Sequence, residues 1–144
     1  MKISSRLDYA LSCLLCVADK YNKEPVTAEE IAKREHIEED YVEQLLAIMR
    51  KAKIINSMKG PGGGYMLAKA PSKINMKDII EAMENTVFEV VCFREKGRRN
   101  KCSHKNDCRL RNVWFGVRNE IESIFSKYDL ETLLTQRKKE KNWK

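Results

Sequence analysis

The chain has 144 residues, 42% of them apolar and 34% charged, which supplies enough hydrophobic material for a core and excludes a wholly disordered chain. Its formal net charge is +7, and the excess is local: residues 1–67 carry ten Lys/Arg and ten Asp/Glu, whereas residues 92–144 carry fifteen against seven. No apolar run reaches membrane-spanning length, and Asp8 and Asp19 interrupt the N-terminal apolar stretch with no small-residue cleavage site after it, so a cytoplasmic location is expected.

Residues 5–21 place Tyr9, Ala10, Cys13, Leu14, Val17, Ala18 and Tyr21 at helical spacing. Ser5 with Asp8 three residues later fits a capped helix start. Cys13 and Cys16 fall on or beside the apolar stripe of this helix. A C-x-x-C metal knuckle needs a turn between its cysteines, so the pair reads as small core residues.

The next segment, EPVTAEEIAKREHIEEDYVEQLLAIMRKAKIINS, holds two capping patterns. Thr27 with Glu30 opens a short helix through about Glu35, with Ile31 and Ala32 inward. After the tight connection 36–39, Asp40 with Glu43 is expected to cap a helix through about Lys51. Val42, Leu45, Leu46 and Met49 line its inner face, leaving Tyr41, Gln44 and Ala47 to point outward. Two short helices so joined form a helix-turn-helix pattern.

IINSMKGPGGGYMLA then reads as a hairpin turning at Gly60–Gly64. A phosphate-binding loop would need Lys-Ser/Thr after its last glycine and a helix beyond it, whereas a strand follows here. A hairpin directly after a helix-turn-helix is a wing, with Lys59 bringing positive charge to its tip.

Ser72 to Asn85 is expected as a further helix, with Asn75 and Asp78 at its start and Ile79, Ile80 and Met83 inward. A short apolar stretch, TVFEVV, leads into CFREKGRRNKCSHKNDC, which is basic and has almost no apolar side chains. From about Cys108 one long helix is expected, carrying Leu110, Val113, Trp114, Val117, Ile121, Ile124, Phe125 and Tyr128 as a single stripe. A second copy of the chain is the natural cover for that stripe, because helix-turn-helix proteins commonly read two half-sites as dimers; folding back on its own chain is the alternative. QRKKEKNWK reads as a solvated tail.

The blocks MKISSRLDYAL, IEEDYVEQLLAIMRKAKIINSMKGPGGGYMLAKAP, INMKDIIEAME and C-x9-C-x5-C-x5-W, in this order over about residues 1–135, resemble the bacterial IscR/NsrR-type (Rrf-two) winged-helix regulators. The resemblance implies a mainly α fold with a small β-hairpin wing, that is, a winged helix-turn-helix followed by a long C-terminal dimerisation helix. The implied division is a DNA-binding domain over 1–85, a cluster-binding cysteine loop over 86–108, a dimerisation helix and C-terminal segment over 109–135, and a basic tail over 136–144.

The implied function is a homodimeric transcription regulator on double-stranded operator DNA, expected to be a repressor sensing redox, nitric oxide or iron–sulfur status, and not an enzyme. Family DNA contacts map onto Tyr41 and Gln44 of the recognition helix and onto Ser57, Lys59 and Gly60 of the wing. Lys59 replaces an arginine common in the family, which keeps the charge and loses the planar fork. For Asp40, a cap and a DNA contact both remain open.

Many family members bind an iron–sulfur cluster through three cysteines before the dimer helix, and Cys92, Cys102 and Cys108 match them. Thiolates are soft ligands suited to iron–sulfur chemistry, and the neighbouring Arg94, Lys96, Arg98, Arg99, Lys101 and Lys105 favour thiolate. The first gap is nine residues where five is commoner. Two iron or four iron is not decided by the spacing.

Arg111 occupies the position where a histidine completes the site in one branch of the family. Asp8 matches the aspartate that the partner subunit supplies in the nitric-oxide-sensing branch. His104, water, a small thiol or no fourth protein ligand are the alternatives to it. The readings that compete with a cluster are thiol oxidation, control by a partner protein, and zinc with His104.

Overall fold

In a computed structural model the described residues are 2–90, 102–104 and 107–136. They form six α-helices and one hairpin: α1 (Ser5–Asp19), α2 (Ala28–Glu35), α3 (Glu39–Lys51), β1 (Ile55–Met58), β2 (Gly64–Leu67), α4 (Met76–Glu84), α5 (Arg111–Ser126) and α6 (Leu130–Gln136). Helix α1 is the axis of the core. It buries Leu7, Ala10, Cys13, Leu14, Cys16, Val17 and Ala18, and α2, α3, α4, α6 and β2 all pack on it. Every buried residue of the core is apolar, so its burial contributes about 25 cal/mol for each Å² removed from water.

The helix starts show where local chemistry acts. At α2 the expected capping box is complete: the Thr27 hydroxyl accepts from the Glu30 amide at 3.2 Å, and the Thr27 amide donates to the Glu30 carboxylate at 2.8 Å. At α1 the cap is Ser4 rather than Ser5. The Leu7 amide donates to its hydroxyl at 3.1 Å, which in turn donates to Glu84 at 2.5 Å, tying α1 to the end of α4. Ser5 is thereby the first helical residue and Asp8 is no part of the cap.

The expected Asp40–Glu43 cap is absent as well. Glu38 precedes α3 without a side-chain cap, and its carbonyl accepts from the Tyr41 and Val42 amides at 3.1 and 3.0 Å. The turn between α2 and α3 is made at His36, which takes the left-handed conformation (φ +55°) and lets the chain reverse.

The hairpin pairs Ile55 with Leu67, Asn56 with Met66, Ser57 with Tyr65 and Met58 with Gly64. It is anchored to the body by one further pair, in which Val26 and Tyr65 exchange amide-to-carbonyl bonds of 3.0 and 2.8 Å. Gly63 and Gly64 are sterically required. A methyl group on Gly63 would lie 2.3 Å from the Met58 carbonyl oxygen, and one on Gly64 2.7 Å from that of Val26.

Helix α4 begins at Met76, later than the expected Ser72. Residues Pro71–Lys73 instead make a 3-10 turn, and Asn75 caps the helix by accepting from the Asp78 amide at 3.0 Å.

The expected single long helix through Tyr128 is divided. Helix α5 stops at Ser126 because the chain then pairs with the segment before α4. The Met76 amide donates to the Tyr128 carbonyl at 2.8 Å, and the Leu130 amide to the Ile74 carbonyl at 2.9 Å. Helix α6 starts there, with the Asp129 carboxylate accepting from the Thr132 amide at 2.7 Å, and buries Leu130 beside α1.

Among the described residues no helix is long and apolar enough to cross a membrane. The reading of the cysteine loop falls in large part, and that of residues 137–144 wholly, outside the described residues.

Candidate DNA-binding surface and cysteine site

Helix α3 turns Val42, Leu45, Leu46 and Met49 into the core, as its period requires. The opposite strip exposes Asp40, Glu43, Gln44, Ala47 and Arg50. Tyr41 departs from its expected outward position. It is half-buried and meets the ring of Tyr9 edge-on, with centroids 6.1 Å apart and planes at 87°. Such a pair contributes about 1 kcal/mol beyond area burial, so it fixes the entry of α3 against α1. Tyr9, expected in the buried stripe, is 44% exposed as the outer half of this contact.

The hairpin leaves Ser57, Lys59 and Gly60 exposed to solvent. Gly60 (φ +91°) and Gly62 (φ +72°) make the tip, closed by a 2.9 Å bond from the Gly63 amide to the Gly60 carbonyl. One cross-link joins helix and wing: Arg50 Nη1 donates to Ser57 Oγ at 3.4 Å. The sequence singled out Ser57 but not its partner Arg50. The available signal was its position, one turn beyond Ala47 on the exposed strip.

Of the three candidate cluster ligands, Cys92 lies outside the described residues. Cys102 and Cys108 are half-buried free thiols, and His104 is exposed. Cys108 stands at the entrance to α5, where its carbonyl accepts from the Arg111 amide at 3.3 Å. An open cavity of about 330 Å³ is lined by His104, Asp107, Cys108, Arg109 and Leu110.

Among the described residues no three His, Cys, Asp or Glu side chains converge closely enough to hold a metal ion. The soft thiols present fit an iron–sulfur group in donor chemistry. Completion of a site would fall to Cys92 and to a ligand from elsewhere. Asp8, exposed on α1 and released from capping by Ser4, meets no side-chain partner among the described residues.

The other two cysteines behave differently. Cys13 and Cys16 are buried, and Cys16 Sγ donates to Glu35 Oε1 at 3.0 Å. Burial and the nearby Glu35 carboxylate push the Cys13 thiol up to about 11. Burial, with the hydrogen bond to Glu35, pushes Cys16 up to about 12. Both are therefore protonated, unreactive core groups at neutral pH.

Helix α5 has no buried residue. It lies on α4 through Lys77, whose ammonium is 3.2 Å from Glu122, and its Trp114 packs on Phe88 with ring centroids 6.0 Å apart. Leu110, Val113, Phe115, Ile124 and Tyr128 remain exposed around it. A groove of about 610 Å³ runs beside the helix, lined among others by Ile3, Leu7, Phe88, Trp114 and Phe125.

A family model for Rrf2, an iron-dependent transcriptional regulator, matches residues 3–136. The chain belongs to the Rrf2 family. IscR of Photorhabdus laumondii is 31% identical over 134 residues, covering 93% of this chain and 79% of that one, and IscR of Vibrio atlanticus is 33% identical over 134 residues, covering 93% and 75%. CymR of B. subtilis, the global cysteine regulator, superposes with a TM-score of 0.74 at 28% identity, covering 94% of this chain and 98% of that one. T. potens IscR superposes with a TM-score of 0.74 at 27% identity, covering 100% and 93%. This Rrf2 chain is a helix-turn-helix transcriptional regulator with a winged-helix fold and not an enzyme.

Proposed function

We propose that the chain acts as a homodimer on operator DNA, as a repressor, and that Cys92, Cys102 and Cys108 hold an iron–sulfur cluster whose state sets DNA affinity. The observation that carries this reading is the placement of Cys102 and Cys108 immediately before α5, a helix that leaves Val113, Phe115 and Ile124 exposed although Ile121 and Phe125 pack on the core. A change at the cysteine loop would thus act beside the surface on which two copies meet.

In the DNA-bound dimer, Gln44 would face base edges in the major groove. Lys59 and Gly60 would lie along the minor groove and its backbone, where a positive tip and a close backbone approach suit a phosphate chain. Tyr41, held by Tyr9, would set the entry angle of the recognition helix. Asp40 is exposed in the first turn of α3 and, freed from a capping role, would stand near the DNA.

For the cluster, the family resemblance makes Asp8 of the partner subunit the preferred fourth ligand, and its carboxylate is exposed on α1; His104, which shares a cavity with Cys108, is the alternative. Bound iron and sulfide would supply bonds open to oxidation and to nitric oxide.

A second reading keeps the cysteines as thiols, with control by oxidation or by a partner protein. It draws support from the likeness to CymR of B. subtilis, described as the global cysteine regulator, and to an oxidized form of Staphylococcus aureus CymR at 25% identity with a TM-score of 0.69. Anaerobic reconstitution with iron and sulfide separates the two. A brown protein with a resolved Mössbauer spectrum, lost in Cys102→Ser together with a change in operator affinity, supports the cluster. A colourless wild-type protein under the same conditions refutes it.

A further inference from the structure

Helix α3 bears an uneven charge. Its first half exposes Asp40 and Glu43, which repel a phosphate chain, and its cations, Arg50 and Lys51, stand at its last turn. The guanidinium of Arg50 crosses from that turn to the wing, where the Ser57 hydroxyl accepts one of its N–H groups at 3.4 Å. Ser57 itself is held in register opposite Tyr65, which the Val26 pair fixes to the body. The junction between recognition helix and wing is thus a cation on a braced mount, exposed to solvent, with Lys59 two residues further along the same strand end.

We infer that Arg50 is a phosphate-binding residue of the DNA interface, oriented by Ser57 to grip one phosphodiester where the backbone passes between recognition helix and wing. A guanidinium has five N–H donors in a fixed fork, so one spent on Ser57 leaves enough for a two-pronged grip on a phosphate. This reverses the sequence-based ranking, in which Ser57 stood as a contact in its own right. The inference rests on the DNA-binding reading of the surface and adds to it the residue that supplies charge where the first half of the helix is acidic.

Salt dependence tests it, because the slope counts the phosphates neutralised, and Arg50→Lys, which keeps the charge and loses the fork, separates charge from geometry. Binding of wild type, Arg50→Gln and Arg50→Lys to a mixed-sequence duplex and to a duplex selected with the wild type is measured between 50 and 200 mM salt. Each phosphate contact contributes a slope of about −0.9 in log K against log salt, so removing one makes affinity fall about 3.5-fold less per chain over that range. The expected result is a shallower slope on both duplexes for Arg50→Gln and a wild-type slope with weaker binding for Arg50→Lys. An Arg50→Gln slope equal to that of wild type overturns the inference, whether or not affinity or thermal stability falls. Failure of the wild type to bind either duplex overturns the DNA-binding reading instead.

Discussion

The attachment of the wing to the body makes a quantitative demand on Gly64. This residue has φ +149°, and a methyl group on it would stand 2.7 Å from the carbonyl oxygen of Val26 and 2.8 Å from its carbon. Both are backbone atoms, which cannot yield as the end of a flexible side chain can. Gly64→Ala must therefore separate β2 from Val26. That abandons the two bonds between Val26 and Tyr65, at a net cost of about 1 kcal/mol each, and adds backbone strain of about 1 kcal/mol. A total of about 3 kcal/mol lowers the melting temperature of a domain this size by about 6–12 °C. Gly62→Ala is the control: the glycine is at φ +72° on the exposed tip with nothing within 4 Å, so the substitution carries backbone strain alone, about 1–2 kcal/mol. Differential scanning calorimetry and fluorescence-anisotropy titration on a DNA duplex read both effects. Gly64→Ala should be the less stable of the two and the weaker binder, because a displaced wing no longer carries Ser57 and Lys59 at a fixed distance from α3. Equal melting temperatures and equal affinities for the two variants would refute the steric argument.

The other expectations address different parts of the molecule. Val113→Asp and Ile124→Glu change side chains that are 55% and 49% exposed in the chain, so each should leave the circular dichroism spectrum intact and shift sedimentation from dimer to monomer; a dimer unaffected by both would show that the face of α5 is not the interface. Leu130→Ala, at a fully buried site where α6 meets α1, should cost about 2–5 kcal/mol in denaturant unfolding, and a cost below 1 kcal/mol would mean that α6 is not part of the core. Because the folded state raises the thiol pKa of Cys13 and Cys16 above the ordinary value of 9.0, their contribution to stability is full below pH 9 and declines as pH rises toward about 11 to 12; Cys16→Ser, which replaces a high-pKa thiol with a group that does not titrate, should flatten that decline in urea midpoints, and an unchanged decline would refute the assignment. Alkylation of the folded, cluster-free protein at pH 8 should spare Cys13 and Cys16 and label Cys102 and Cys108, as read by peptide mass spectrometry, and labelling of Cys16 in the folded state would contradict its burial.

Much of the architecture is legible because its signals are local. Thr27 with Glu30 fixes the start of α2 by bonds within four residues, and the inward set of α3 follows from the helical period alone. The wing is legible for a steric reason, since consecutive glycines between two apolar strands leave few conformations other than a tight reversal, and two of them admit no side chain.

What the sequence obscures depends on partners distant along the chain. Ser4 and Ser5 are equally good caps in isolation; Glu84, eighty residues away, completes the bond that selects Ser4. The helical stripe runs through Tyr128 without a break in pattern, yet α5 ends at Ser126 because Tyr128 and Leu130 pair with the backbone of residues 74 and 76. Periodicity registers apolar spacing and is silent about such competition.

The same distinction governs the candidate sites. Tyr41 and Ser57 were recognisable as positions by likeness to a family, but their chemistry here is set by neighbours, Tyr9 for one and Arg50 for the other. Tyr41 packs edge-on against Tyr9 where α3 meets α1, and the Ser57 hydroxyl accepts from Arg50. Asp8 changes in the opposite sense, since the cap belongs to Ser4 and its carboxylate is left exposed one residue from Tyr9. Helix α1 consequently presents Asp8 to solvent and Tyr9 to the recognition helix within one turn. A ligand role for Asp8 in a partner's cluster would place cluster chemistry and the seating of α3 on adjacent residues of the same rigid, core-packed helix.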